Sequence, residues 1–508
     1  MKRTPFVAIS IVVLLTTLTG LVLVQAQTPV NGPGSSNIIV QNTDCTPAGD
    51  PANVVAAYFN ADGTPTDSLG ASVPPCSAAE FAIADTSIDG NWQGSMVLYS
   101  DGEVASVAML TWDGGNWFDG KSAAAYVGYG AGANTFYLPS IVVDPGVQVG
   151  QVVVQNTDAT DDPATVYVNY RELGDAAVDV QVVDTIPRDA SALYDLGDPG
   201  GTTPNLMSYL TYPVTDTNWV GSVVVTSTSE IAVVSTNQWR GWSGAYNGVS
   251  SPETTLVVPF IARRAYQLPK QYWWAEASIL IIQNPNGSAA TVDVDFYSLQ
   301  DGSLTTTFDD MVIPAYDAVR IHMRWGESVP QSWLDPLDWR TNTDIEWVGK
   351  AVITSDLPVT SVLNDMRFGQ NAIGAGTASM YNPAGPATGS YELFMPALYR
   401  IGTGTSWTQR GKFYVANLES TDATVDIYLY DRDGNLDLAL EDRTVPGDGV
   451  GDLLLHFGGS LGTGTELSVL GNNWVGSAHI VSDRKVMGLA DTIWEPEARL
   501  STYTAINH

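Results

Sequence analysis

A tryptophan recurs through this chain at an interval too regular for chance and long enough to hold a domain. Trp92, Trp219, Trp347 and Trp474 stand 127, 128 and 127 residues apart. Each lies in a version of one motif: Asn91-Trp92-Gln93-Gly94-Ser95, Asn218-Trp219-Val220-Gly221-Ser222, Glu346-Trp347-Val348-Gly349-Lys350 and Asn473-Trp474-Val475-Gly476-Ser477. The sequence is therefore a tandem array of one unit, each copy large enough to bury its own core. The expected units are residues 35–135, 136–254, 255–389 and 390–508, behind a leader at 1–26.

Other landmarks keep the same register. An apolar strand in each unit ends on Asn42, Asn156, Asn284 or Asn417, a residue that tolerates left-handed backbone and can close an Asx turn. Next comes strict alternation: Val425, Ile427 and Leu429 on one face against Asp426, Tyr428 and Tyr430 on the other, repeated by Val292, Val294 and Phe296. That period of two belongs to strands and not to helices. Asp62-Gly63, Asp301-Gly302 and Asp433-Gly434 then supply hairpin turns. Pro75, Pro187, Pro314 and Pro446 follow the four asparagines by 33, 31, 30 and 29 residues.

Each tryptophan is expected to open a closing hairpin, with Trp219, Gly221, Val223 and Val225 toward the core. Lys350 stands where the other units have Ser, so the opposite face is expected to be the wetter one. The Gly two residues after each Trp reads as room for the indole, or as a bulge. The hairpin ends 20 residues later at Trp112, Trp239 and Trp494, with Arg367 in the third unit. About seven short strands per unit predict an all-β protein of four tandem antiparallel β-sandwiches of immunoglobulin-like type, with a barrel as the alternative. Propeller blades are far shorter than these units.

This pattern of Pro-containing opening strand, strand ending in Gln-Asn, Asp-Gly turn, Pro and Trp-Val-Gly-Ser resembles tandem β-sandwich repeats of secreted, largely uncharacterised bacterial surface proteins. The likeness runs over essentially all of 35–508. It implies an extracellular array and brings no catalytic residues with it. The first unit departs from it: Ser35-Ser36-Asn37-Ile38 offers no opening strand, so this unit either caps the array or borrows a strand.

Lys2 and Arg3, the apolar run Phe6–Val24 and the ending Val24-Gln25-Ala26 read as a secretory signal peptide cut before Gln27. Left uncut, that run is long enough to span a bilayer; no later run is. Losing Lys2 and Arg3 takes the net charge from -33 to -35, which sets the chain against nucleic acid and anionic membranes and favours cations and basic surfaces. Cys45 and Cys76 are the only cysteines, and in an exported chain they predict a structural disulfide.

Catalytic motifs are missing. The four histidines, His322, His456, His479 and His508, sit in no triad or zinc-helix pattern, and no acidic pair recurs as a glycosidase would need. Asp431, Asp433, Asn435 and Asp437 form a weak calcium candidate, but the Gly is in the fourth place where an EF-hand loop has it in the sixth, so turn chemistry is preferred. Thr157–Asp162 is a second such stretch.

The strongest partner-facing region lies in the third unit. Arg263, Arg264, Tyr266, Tyr272, Trp273 and Trp274 form one loop; Trp325, Trp333, Asp335, Asp338, Trp339 and Arg340 form another. Exposed, such rings stack on sugars while Asp and Arg take the hydroxyls. The alternative is that they bury one another as a satellite core. Trp407 and Arg410 echo the first loop in the fourth unit. The expectation is a secreted, non-catalytic structural, adhesive or matrix protein whose partners are surface polysaccharide or other extracellular proteins. A carbohydrate-binding protein is the alternative, and a glycoside hydrolase the third choice.

Overall fold

The computed structural model describes residues 7–13, 34–46, 49–88, 92, 94–112, 122–143, 148–158, 163–195, 219–239, 242–268, 271–338, 340–341, 344–368, 377–403, 406–494 and 499–507. Almost all of the regular structure is β-strand. The chain forms two compact modules, Met1–Ser251 and Pro252–His508, each holding two of the sequence repeats. Among the described residues no helix is long and apolar enough to cross a membrane.

The second repeat shows the plan. Its strands are, in order, Ala133–Val143, Gln148–Asn156, Ala164–Glu172, Val180–Ile186, Ser191–Asp195, Trp219–Trp239 and Trp242–Asn247. The sixth strand belongs to two layers. Its first half pairs with the opening and third strands, and its second half pairs with the second and seventh. The fourth strand extends the first layer beside the third, and the fifth extends the other beside the second.

The expected closing hairpin is therefore corrected. Its two halves never pair with each other; the chain runs on and carries the sheet round a corner, as strands do in sandwiches that switch layers by bending. The long strands Asp344–Arg367 and Asn473–Trp494 repeat this, while the first repeat breaks the same strand into Gly94–Ser100 and Val104–Trp112. An immunoglobulin sandwich instead places strands A, B, E and D in one sheet and C, F and G in the other.

Trp219 and Trp347 are fully buried, and Trp92 and Trp474 nearly so. The glycine two residues on makes their packing possible. A Cβ on Gly94, Gly221, Gly349 or Gly476 would lie 1.9, 2.0, 2.2 or 2.0 Å from a carbonyl oxygen of the third strand, and within 2.6 Å of the indole. Three indoles also donate from Nε1, to Asn60, Thr305 and Asp437 at 2.9, 3.3 and 2.8 Å.

The four asparagines are buried clamps. Each Oδ1 accepts from the backbone N–H two residues on, closing the expected Asx turn. Each Nδ2 donates to the carbonyl ending the fourth strand: Val73, Ile186, Ile313 and Val445. The following turn is the same everywhere, with N–H donation back to Pro74, Pro187, Pro314 and Pro446. The equivalent proline in the first repeat is thus Pro74, not Pro75. Cys76 lies in that turn at φ 57° and is disulfide-bonded to Cys45, as the sequence predicted.

The face read as wet is buried. Ser95, Ser222, Lys350 and Ser477 are all buried, Lys350 to 2% exposure. In each module the odd repeat lays this face on the even one. Ser95 Oγ donates to Asp189 O at 2.8 Å, and Ser191 N–H donates to Ala61 O. In the second module a Cβ on Gly302 would lie 3.7 Å from Gly447 O and 3.9 Å from Pro446 Cβ, and Asp448 is the acid whose charge acts on Lys350. Apolar clusters run across both joints: Val153, Ala232 and Val234 join the core of the first repeat, and Tyr414, Met487 and Leu489 that of the third.

Candidate functional site

In the third and fourth repeats the first two strands continue past the sheet as a two-stranded hairpin, Glu253–Leu268 with Gln271–Gln283 and Ser390–Thr403 with Ser406–Asn417. In the second repeat the described parts of those strands end at Val143 and restart at Gln148. The hairpin carries an arginine four residues after the strand proline (Arg263, Arg400) and a tryptophan ten before the clamp asparagine (Trp274, Trp407).

At the third repeat these side chains meet the segment after the fifth strand. The Arg324 guanidinium lies 5.5 Å from the Trp274 ring, 4.9 Å from Trp325 and 5.2 Å from Phe368. Arg263 covers Trp274 at 5.1 Å, and His322 stacks on Trp325 at 3.6 Å. Arg263 is held rigidly: Nε donates to Asp338 at 2.7 Å, and Nη1 donates to Met323 O. Each cation over a ring contributes about 0.5–2 kcal/mol, depending on its desolvation. Among the described residues no carboxylate pairs with Arg324. Burial, then the charges of Arg320, Arg324 and Arg263, lower His322 to about 3, so the imidazole is neutral and serves as a stacking plane.

The fourth repeat holds a smaller version. Arg400 lies 4.7 Å from Trp407, and His456 lies 5.8 Å from Trp407 and 4.2 Å from Phe457. Burial and the neighbouring Arg410 lower His456 to about 4. Trp325 and Phe457 are 48% and 69% exposed, giving both tips an open aromatic edge.

Not every expected site residue joins this platform. Trp333 packs on Phe308 at 5.2 Å against the core. Asp335 is exposed on the 3-10 turn Gln331–Leu337, and Asp338 is engaged by Arg263. Tyr272, Trp273 and Arg340 lie in strands whose side chains are outside the described set, as Trp339 is entirely. Arg324, His322 and Phe368 belong to the platform but not to the sequence-predicted set. The matched Arg and Trp positions of the third and fourth repeats carried the signal for the hairpin; the partners across from it lay in a different segment.

Asp431 spends its carboxylate on its own turn, with Oδ1 accepting from Asp433 and Asn435 N–H at 2.9 and 2.8 Å and Oδ2 from Asn435 Nδ2 at 2.9 Å. Asp437 accepts from the core indole of Trp474. These are turn and core roles. Residues 159–162 of the second calcium stretch lie outside the described set.

No family model matches the chain, and no curated protein does. Among solved structures, Thermotoga maritima 1070 aligns over 27% of this chain and 96% of its own at 12% identity and TM-score 0.19. The Anabaena sensory rhodopsin transducer aligns over 22% of this chain and 96% of its own at 18% identity and TM-score 0.15.

Proposed function

We propose that the chain is exported by removal of residues 1–26 and works outside the cell as a non-catalytic structural, adhesive or matrix protein built of tandem β-sandwich repeats. One observation supports this above the rest: among the described residues, two of the histidines and two of the acids that the sequence offers for chemistry are committed to holding structure. His322 and His456 are neutral stacking planes beside arginines, Asp431 and Asp437 serve a turn and an indole, and the motif tryptophans fill cores. Buried joints between paired repeats suit a protein that bears load.

The platform around Arg324 favours a second reading, binding of an anionic polysaccharide. An arginine with aromatic rings on three sides offers stacking planes and a positive charge on an otherwise acidic chain, which suits a carboxylated sugar. Purified residues 27–508 titrated with a panel of neutral and uronate-containing polysaccharides decide between the readings, with Trp325→Ala and Arg324→Gln as controls. Uronate binding that both variants lose supports the second reading. A folded chain that binds no polysaccharide supports the first. Release of reducing sugar by the unmodified chain overturns both.

A further inference from the structure

The four repeats differ in how they close one sheet edge. In the second, third and fourth, the opening strand pairs with the tryptophan-bearing half of the sixth strand, and Ile141, Ile261 and Leu398 stand opposite the motif glycines Gly221, Gly349 and Gly476. In the first repeat the same place is taken by Val7–Val13, with Val13 opposite Gly94. That strand comes from the leader.

The repeat's own register gives no replacement. From the residue opposite the motif glycine to the clamp asparagine the chain runs 15, 23 and 19 residues in the other three repeats. Counted back from Asn42, these connections reach residues 27, 19 and 23, so the opening strand, which runs N-terminally from there, falls in the leader in every case. A cut before Gln27 leaves only Gln27-Thr28-Pro29-Val30-Asn31-Gly32-Pro33 ahead of the second strand, too short to turn and pair, with two residues lacking an N–H.

The vacated edge, Gly94-Ser95-Met96-Val97-Leu98-Tyr99-Ser100, carries no charge and no proline. The strands at the far edge of the same layer are all protected: Pro65 and Asp67, Asp184, Asp309 and Asp310, and Asp437, Glu441 and Asp442. Charges and prolines are how sheets refuse edge-to-edge pairing, and Gly94–Ser100 has neither where the far-edge strands of the same layer do.

We propose that in the mature chain two copies pair through Gly94–Ser100, each closing the edge that loss of the leader opens. The segment is complementary to itself. An antiparallel two-fold about Val97 sets Met96 opposite Leu98 of the second copy, and both side chains already face the core. Backbone hydrogen bonds that Val7–Val13 makes here are replaced by those of the copy. Because each mature chain carries -35, association strengthens as salt is raised.

This rests on removal of the leader, which N-terminal sequencing of the exported chain checks separately. Sedimentation equilibrium of residues 27–508 across the micromolar range then tests the pairing, beside a variant with the opening strand of the second repeat, Ala133–Val143, fused ahead of Gln27 through a flexible linker. The expected result is a dimer for the mature chain and a monomer for the fusion, with dimerisation weakened at least about tenfold. A folded monomer at every concentration overturns the proposal, as does a dimer that the fused strand leaves intact. So does loss of amide protection throughout the first repeat without the leader. A monomer that instead takes up free Ala133–Val143 peptide overturns the second copy as occupant and gives the edge to another protein.

Discussion

The two modules solve one packing problem with opposite chemistry. In the first, the joint positions hold Leu110 and Trp112 with Gly34 on the odd repeat, and Gln151, Val153 and Thr236 on the even one. Gly34 and Trp112 are register partners, and a Cβ on Gly34 would lie 3.0 Å from the indole nitrogen. In the second module the same places hold Asp365, Arg367 and Glu276, then Lys412, Tyr414 and Asp491. Glu276 and Arg367 keep the register, but as an ion pair at 2.7 Å. Arg367 also lies 3.3 Å from Asp365 and reaches Asp491 in the fourth repeat at 2.9 Å. Trading Trp for Arg thus came with an acid at each position it reaches. The lesson is that one backbone joint accepts an uncharged or an ionic filling, provided that every member changes together. A mixed filling would leave a buried charge without its partner.

Arg367→Ala should break this comparison most severely. Glu276, Asp365 and Asp491 are then left buried with Lys412 and Arg264 as the remaining cations, and a loss of about 3–5 kcal/mol is expected from the second module. Urea melts read by hydrogen exchange resolved to each module check it; an unchanged second module refutes the ionic account. Trp112→Ala should cost the first module about as much through a cavity, without pH dependence. Acid sharpens the contrast. Burial raises Glu276, but Arg367, Arg264 and Lys412 overcome it and hold the carboxylate at about 2. Its folded value is depressed, so its contribution is present above the unfolded carboxylate range and is lost as pH falls toward about 2. Asp365 runs the other way: burial, then Glu276, raise it well above its ordinary value. Its contribution is full in acid and lost as pH rises through the folded value. Asp365→Asn should remove that upper limb and leave the acid limb in place.

Lys350 gives the next effect. Burial lowers it to about 8 against the partial help of Asp448, so between about pH 8 and its unfolded value the unfolded chain holds more protons. The second module should therefore gain stability as pH rises through that window, by at most about 3 kcal/mol. Lys350→Ser, which restores the residue of the other repeats, should abolish the slope. A slope that survives the substitution belongs to another group. The asparagine clamps supply the internal standard, because they are alike in both modules. Asn156→Ala and Asn417→Ala should each cost about 1–3 kcal/mol, from carbonyls and an Asx turn left unsatisfied, with no difference in pH response.

Sequence revealed what recurs locally. Clamp, turn and tryptophan were legible because each is set by its own few residues: an Asn side chain closes its turn, and a Gly spares the indole. The sheet-switching corner was not. Ser-Asp and Ser-Thr at the bend of the sixth strand have turn composition, and alternation continues on either side whether the halves pair together or go to separate layers. Nor was burial of the Ser95 and Lys350 face, because a small polar residue looks wet until another repeat covers it. The platform was half legible. Arg263 and Trp274 share register with Arg400 and Trp407, whereas Arg324 and Phe368 arrive from segments just past the ends of other strands, and Trp333 packs on Phe308 against the core.

The smallest effect tests whether the two joints are the same joint. Ser95 occupies in the first module the place of Lys350 in the second, and its Oγ donates across to Asp189 O at 2.8 Å. Asp189 and Asp448 are themselves equivalent, each two residues past the turn proline with φ near 59° and 54°. Removing the hydroxyl in Ser95→Ala takes one donor from the part-buried Asp189 carbonyl, which should cost about 1 kcal/mol and shift only the first module. Ser95→Lys asks more. The new ammonium would enter a joint whose acid, Asp189, already stands where Asp448 stands for Lys350. If the joints are equivalent, the first module should acquire the rise in stability above about pH 8 that Lys350→Ser removes from the second. If it loses stability equally at every pH, the ionic filling depends on the whole Arg367 group, and the charged set of the second module acts as one unit.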